Sequence, residues 1–137
     1  MGGTVIQSLA GLPAFVAYFC LSIVAVIAYL FFYTRATPYN EFELIEKNTP
    51  GAAIALGLSL IGFCLPVASA VAHAADLLDC AVWAVIAFIV QVGTFYAARI
   101  AVSDLCGRIA RGEMASAIWL GFISVATGIL SAASMTW

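Results

Sequence analysis

The charged residues of this chain stand in three short clusters, and the stretches between them carry none. Arg35, Glu41, Glu43, Glu46 and Lys47 form the first cluster, Asp76 and Asp79 beside His73 the second, and Arg99, Asp104, Arg108, Arg111 and Glu113 the third. The intervals 1–34, 48–75, 80–98 and 114–137 are free of charge. About 20 helical residues cross a hydrocarbon core, so each interval has room for one crossing. Of the 137 residues, 65% are hydrophobic and 9% charged. A chain this short cannot hide that much apolar surface in one aqueous core. Soluble and disordered chains are excluded, and the net charge of −2 argues against a nucleic-acid partner.

The pattern predicts an all-α membrane protein, a single integral domain over 1–137 with transmembrane helices at about 11–33, 51–72, 81–102 and 114–136. Membrane strands need short segments of alternating polarity, and Ala14–Tyr33 shows none. A helix also satisfies its own backbone in lipid. Residues 1–12 lack Lys and Arg, so the first span reads as a retained helix rather than a secretory signal. All five Lys/Arg fall in or beside the first and third connections. Cationic loops stay in the cytoplasm, which predicts both termini on the outer, periplasmic side.

The chain also reads as two parallel-repeat helical hairpins, about 11–72 and 81–136, offset by 64 residues. Phe31-Phe32-Tyr33-Thr34-Arg35 lies over Phe95-Tyr96-Ala97-Ala98-Arg99, Lys47 over Arg111, and Ala53-Ile54-Ala55-Leu56-Gly57 over Ala117-Ile118-Trp119-Leu120-Gly121. An even number of helices separates the copies, so they share one orientation. In the first connection Thr37 reads as an N-cap with Pro38 at the first helical position. Tyr39, Phe42 and Ile45 among Glu41, Glu43 and Glu46 then form a short interfacial amphipathic helix. Its Tyr39, Asn40, Glu41, Phe42 and Ile45 are the candidate docking surface for a cytoplasmic partner, and a connector hugging the surface is the plainer reading.

Within the spans, small and weakly polar residues recur at helical spacing: Ala52, Ala55, Ser59, Gly62, Pro66 and Ser69 in the second, Ala84, Ala87, Gln91, Thr94 and Ala98 in the third, and Ala117, Gly121, Ser124, Gly128 and Ser131 in the fourth. Lipid gives helices no hydrophobic reason to associate, so close backbone approach and side-chain hydrogen bonds must hold them together. Ala53, Gly57, Gly62, Ala117, Gly121 and Gly128 are the expected packing positions, within the chain or between subunits of a homo-oligomer. The sharper alternative is a polar pathway lined by Ser59, Gln91, Thr94 and Ser124. Gln91, the most polar group near mid-bilayer, is expected to bond to a neighbouring helix. Pro66 frees the carbonyl of Gly62 and should kink its helix. Arg35 and Arg99 read as interface anchors, and Asp104 with Arg108 as an i, i+4 pair on an extended third helix.

Candidates for chemistry are few. No carboxylate lies within a span, His73 is the only histidine, and Cys20, Cys64, Cys80 and Cys106 are scattered without a ligand spacing. Neither catalysis nor a cofactor is expected.

Thr37-Pro38-Tyr39-Asn40-Glu41-Phe42-Glu43-Leu44-Ile45, Leu65-Pro66 with Ser69-Ala70, Trp83, Gln91 and the ending Ala132-Ala133-Ser134-Met135-Thr136-Trp137 resemble the YjfL-like family of small bacterial inner-membrane proteins. Two positions depart from its pattern, with Ser131 where members tend to carry Asn and Ser134 where they carry Cys. The resemblance implies a four-span inner-membrane protein built as a tandem of two-helix units, with no assigned biochemical function. It further implies an association with membrane-stress proteins resembling phage-shock protein A and with an ATP-grasp ligase, and so a role in envelope maintenance. The leading expectation is a structural or regulatory protein in the lipid bilayer that self-associates and docks a cytoplasmic membrane-stress protein. A small channel or carrier is the rival.

Overall fold

A computed structural model describes residues 2–37 and 40–135. The described chain is helical, with α1 (Gly2–Leu9), α2 (Leu12–Ala36), α3 (Glu41–Glu46), α4 (Pro50–His73), α5 (Leu77–Ala101), α6 (Leu105–Ala110) and α7 (Met114–Ser134). Four stretches are long and apolar enough to cross a membrane: Gly3–Ala36, Pro50–His73, Leu77–Ala101 and Met114–Ser134.

Local chemistry sets the ends of these helices. Pro50 opens α4 behind Thr49, a position where the missing N–H costs nothing. Asp76 caps α5 by accepting from Asp79 N at 2.8 Å, and Asp79 Oδ2 accepts from Ala75 N at 3.0 Å. The two carboxylates of this turn are thus engaged in starting a helix. The first stretch is broken at Ala10–Gly11, so the short α1 precedes the spanning helix α2, a feature absent from the sequence-based expectation.

The first connection differs from expectation at its start. Asn40, not Thr37, caps α3, its Oδ1 accepting from Phe42 N at 3.1 Å and Glu43 N at 3.2 Å. Thr37 instead closes α2, with its N–H and its hydroxyl both 3.2 Å from the carbonyl of Tyr33. An amide oxygen reaches the free N–H groups of a first turn, while a threonine hydroxyl at a helix end readily bonds back to its own preceding turn. Pro38 lies outside the described residues. The third connection also differs: α5 ends at Ala101 and α6 is a separate helix, entered through Asp104 at φ 55°.

The two connections are built alike. Thr49 N bonds Leu44 O and Glu113 N bonds Arg108 O; Asn48 N bonds Ile45 O and Gly112 N bonds Ile109 O. Asn48 (φ 62°) and Gly112 (φ 87°) both adopt the left-handed turn that lets each short helix reverse into the next span. Asn and Gly are the residues that tolerate it most readily.

The centre of the bundle is the pair α4 and α7. Gly51 meets Ala117, Gly62 meets Ser124 and Gly128, and Ser69 Oγ donates to Ala132 O at 2.9 Å, so the helices run parallel. Helix α5 packs against both, and α2 lies on the outside against α4 and α5. An aromatic cluster joins α2 to the rest: Tyr29 stacks on Phe63 at 4.7 Å, and Phe88 stands edge-on to both at 6.1 and 6.0 Å. Tyr33 contacts Phe95 at 5.4 Å nearer the end that carries α3 and α6.

Candidate functional site

The most polar place inside the bundle forms where α4, α5 and α7 meet, and its origin is Pro66. Proline has no N–H, so the carbonyl of Gly62 loses its intrahelical partner. In lipid a bare carbonyl is costly. Gln91 from α5 supplies the missing hydrogen: its Nε2 donates to Gly62 O at 3.0 Å and lies 3.5 Å from Ser124 O. Pro66 is fully buried and α4 runs through it unbroken from Pro50 to His73. Gln91 is 1% exposed, so its amide exchanges no bond with solvent.

The approach of α4 to α7 is what makes this geometry possible. A Cβ on Gly62 would stand 2.6 Å from the backbone carbon of Ser124, and one on Gly128 would stand 2.8 Å from that of Gly62. A Cβ on Gly121 would meet Leu58 Cβ at 2.7 Å. Two helices touch backbone to backbone here, in the small-residue packing by which membrane helices associate.

The expected site residues fall into two groups. Ser59, Gln91 and Ser124 are buried among these three helices; the Ser59 hydroxyl faces that of Tyr29, and Gln91 Oε1 has no partner among the described residues. Thr94 is not with them: it is partly exposed and its hydroxyl returns to Val90 O at 3.0 Å. Phe95 holds the buried position beside it. Gly62, Ala117, Gly121 and Gly128 lie on the α4–α7 seam. Ala53 is exposed and a Cβ at Gly57 would meet nothing within 4 Å among the described residues, so of the two alternatives for these positions the chain does not realise packing within itself. The seam of α4 runs through Ala52, Ala55, Ser59, Gly62 and Pro66, the stripe of small residues on that helix.

Burial on α3 corrects the docking surface. Glu41 is 1% exposed; Thr37 Oγ1 donates to its Oε1, and its Oε2 has no partner among the described residues. Ile45 packs against a core formed by Tyr33, Leu105, Cys106 and Ile109. Of the residues expected to face a partner, Asn40 is occupied as a cap, Phe42 stands out at 55% exposure and Tyr39 lies outside the described residues. Glu43 is exposed and its carboxyl is held below the usual value by Lys47, 2.8 Å away.

Arg35 and Arg99 are both exposed at the last turns of α2 and α5. Asp104 bonds Arg111 at 3.1 Å and Arg108 lies 3.4 Å from Glu113, so the expected Asp104–Arg108 pair gives way to these partners. The Asp104 carboxylate instead lies over Gly107, where a Cβ would stand 2.7 Å from its carboxyl carbon. Cys80 and Cys106 are buried; burial pushes the Cys106 thiol above its ordinary value. Gly51 and Trp119, whose Nε1 donates to Ala98 O at 3.4 Å, were not expected to join helices. Each is a small or amphipathic residue at helical spacing, a signal shared with many lipid-facing positions.

These features define a four-span α-helical membrane protein with a parallel central pair and no strands among the described residues. The chain matches the family described as Domain of Unknown Function (DUF350) over residues 7–135, and it belongs to that family. It is 36% identical over 126 residues to the UPF0719 inner membrane protein YjfL of Escherichia coli strain K12, covering 92% of this chain and 96% of that protein. The match to YjfL of Escherichia coli O157:H7 has the same identity and coverage. No solved structure matches.

Proposed function

We propose that this protein is a non-catalytic, structural or regulatory component of the bacterial inner membrane, concerned with envelope maintenance. The observation that carries the reading is the fate of its few intramembrane polar groups. Gln91 is spent on Gly62 O and the small residues of α4 and α7 on backbone contact, which favours a packed scaffold over a solute route. Thr94, one of four residues proposed to line a route, turns to its own helix.

The inner-membrane location follows the relatives' names. The basic connections face the cytoplasm in this reading and both termini the periplasm, as the distribution of Lys and Arg requires. The matching turns of the two connections support an origin by duplication of a helical hairpin. Self-association uses the open face of α4 at Ala53 and Gly57, where none of the described residues fills the space beside Gly57. The exposed Phe42, flanked by Glu43 and Glu46, is the part of α3 offered to a cytoplasmic membrane-stress protein.

Gly57→Leu tests the assembly. It adds bulk to the open face without touching the α4–α7 seam, so the expected result is a smaller species on a native gel with unchanged helicity. An unchanged oligomer removes this face from the proposal. Solute flux in liposomes that is abolished by Gln91→Leu, in a protein that still folds, would overturn the scaffold reading in favour of a carrier.

A further inference from the structure

Three of the five basic side chains are neutralised within the connections. Lys47 Nζ lies 2.8 Å from Glu43, Arg108 is 3.4 Å from Glu113, and Arg111 is 3.1 Å from Asp104 and 3.4 Å from Glu113. Arg35 and Arg99 enter no ion pair among the described residues. They differ from the other three in place as well, since each sits in the last turn of a spanning helix.

Each guanidinium is also held in the same manner. Arg35 Cζ lies 4.7 Å from the centroid of the Phe31 ring, one turn back. Arg99 Cζ lies 5.6 Å from Phe95 and 5.8 Å from Tyr96. The two helices run side by side in one direction, with Phe32 of α2 against Tyr96 of α5 at 6.3 Å, so the two arginines stand at one depth. A ring beneath the guanidinium restrains its rotation and leaves the outer edge of the planar fork free. That edge matches two oxygens of a phosphate, in the charge-assisted geometry at which arginine excels. A cation at the rim of a hydrocarbon layer favours a counter-charge, and among the described residues no carboxylate lies within ion-pair distance of either arginine. Phe31 and Tyr96 remain exposed beside the arginines, as apolar surface for the chain below a headgroup.

We propose that Arg35 and Arg99, at the shared end of α2 and α5, each bind the phosphate of an anionic phospholipid headgroup. The site holds whether or not the protein is a scaffold, since it rests on the placement of these two side chains alone.

The test uses the full chain purified in detergent, with phosphatidylglycerol or phosphatidylcholine added and bound lipid counted by native mass spectrometry. The expected result is a preference for phosphatidylglycerol of roughly tenfold, equivalent to about 1.4 kcal/mol. R35Q/R99Q should abolish that preference, while K47Q/R108Q, which removes two charges elsewhere, should retain it. Equal loss in both variants, or full retention in R35Q/R99Q, overturns the proposal. Displacement of the lipid by inorganic phosphate at matched concentration would reassign the site to a free anion and also overturn it. If R35Q/R99Q fails to accumulate, R35K/R99K keeps charge but loses the fork; its preference should fall, and an unchanged preference counts against the site.

Discussion

Gln91 on α5 gives Gly62 on α4 the hydrogen bond that Pro66 withholds. The amide nitrogen reaches the carbonyl at 3.0 Å, and both residues are buried. One helix therefore repairs the backbone of another, and the repair ties α5 to the central pair. Interhelical polar contacts of this kind contribute about 0.5–2 kcal/mol in membrane proteins.

That relationship makes the effects of two substitutions interdependent. Gln91→Leu in the natural background should lower stability by about 1–2 kcal/mol, because it leaves the Gly62 carbonyl bare. In a Pro66→Ala background the carbonyl recovers its intrahelical partner, and the same change should cost less. A double-mutant cycle by chemical unfolding in mixed micelles reads the coupling, expected at about 1 kcal/mol. Strict additivity would mean that the bond is not the reason for Gln91.

Glycine positions on α4 and α7 should separate sharply. Gly128→Ala places a methyl group against the backbone of Gly62 and should cost about 1–3 kcal/mol through overpacking. Gly57→Ala meets open space in the chain and should be neutral or stabilising by about 0.5–1 kcal/mol from helix propensity. Thermal unfolding in detergent measures both, and equal effects would show that the seam is looser than described.

Buried Glu41 joins the end of α2 to α3 through the Thr37 hydroxyl. Glu41→Ala removes the acceptor and leaves a cavity, with an expected loss of about 1–3 kcal/mol. Limited proteolysis reports it locally: cleavage by trypsin after Lys47 should quicken in Glu41→Ala and much less in Phe42→Ala, which empties no buried space. Comparable rates in the two variants would show that α3 is not anchored by its buried residue.

The exposed pair Glu43–Lys47 carries a pH signature. Lys47 lowers the Glu43 carboxyl below its ordinary 4.5, so the pair's support for α3 is present above that value and is lost as pH falls through the lowered one. Lys47→Gln should return Glu43 to an ordinary carboxyl titration, seen by NMR of its side-chain carbon. Global stability should barely respond, because exposed ion pairs contribute little.

Much of this architecture is legible along the chain, and the exceptions share a cause. The four spans lie close to their expected limits, and the carbonyl freed by Pro66 follows from proline chemistry alone. Thr37 and Asn40 are both good caps by type, and their roles depend on which oxygen reaches which N–H. Asp104 and Arg108 have the right spacing to pair, but a left-handed residue between α5 and α6 sends Asp104 to Arg111. Such choices are made by a few degrees of backbone rotation, which residue types do not encode.

Ala53 and Ala52 show where reading the chain ends. Charge-free runs of the right length determine that the protein spans a membrane, how many times and where it turns, because moving a charge into hydrocarbon is costly at every position. Which face of each helix meets a neighbour is another matter. In water a buried face is apolar and an exposed one polar, so the sequence records the difference. In a bilayer both faces are apolar, and a small residue suits either lipid or a helix. Only the tertiary structure decided that Ala52 is buried and Ala53 exposed, that Glu41 turns inward and Phe42 outward, and that Gln91 finds Gly62. The backbone approach of α4 to α7 made that choice, since it admits one face of each helix and leaves the other to lipid.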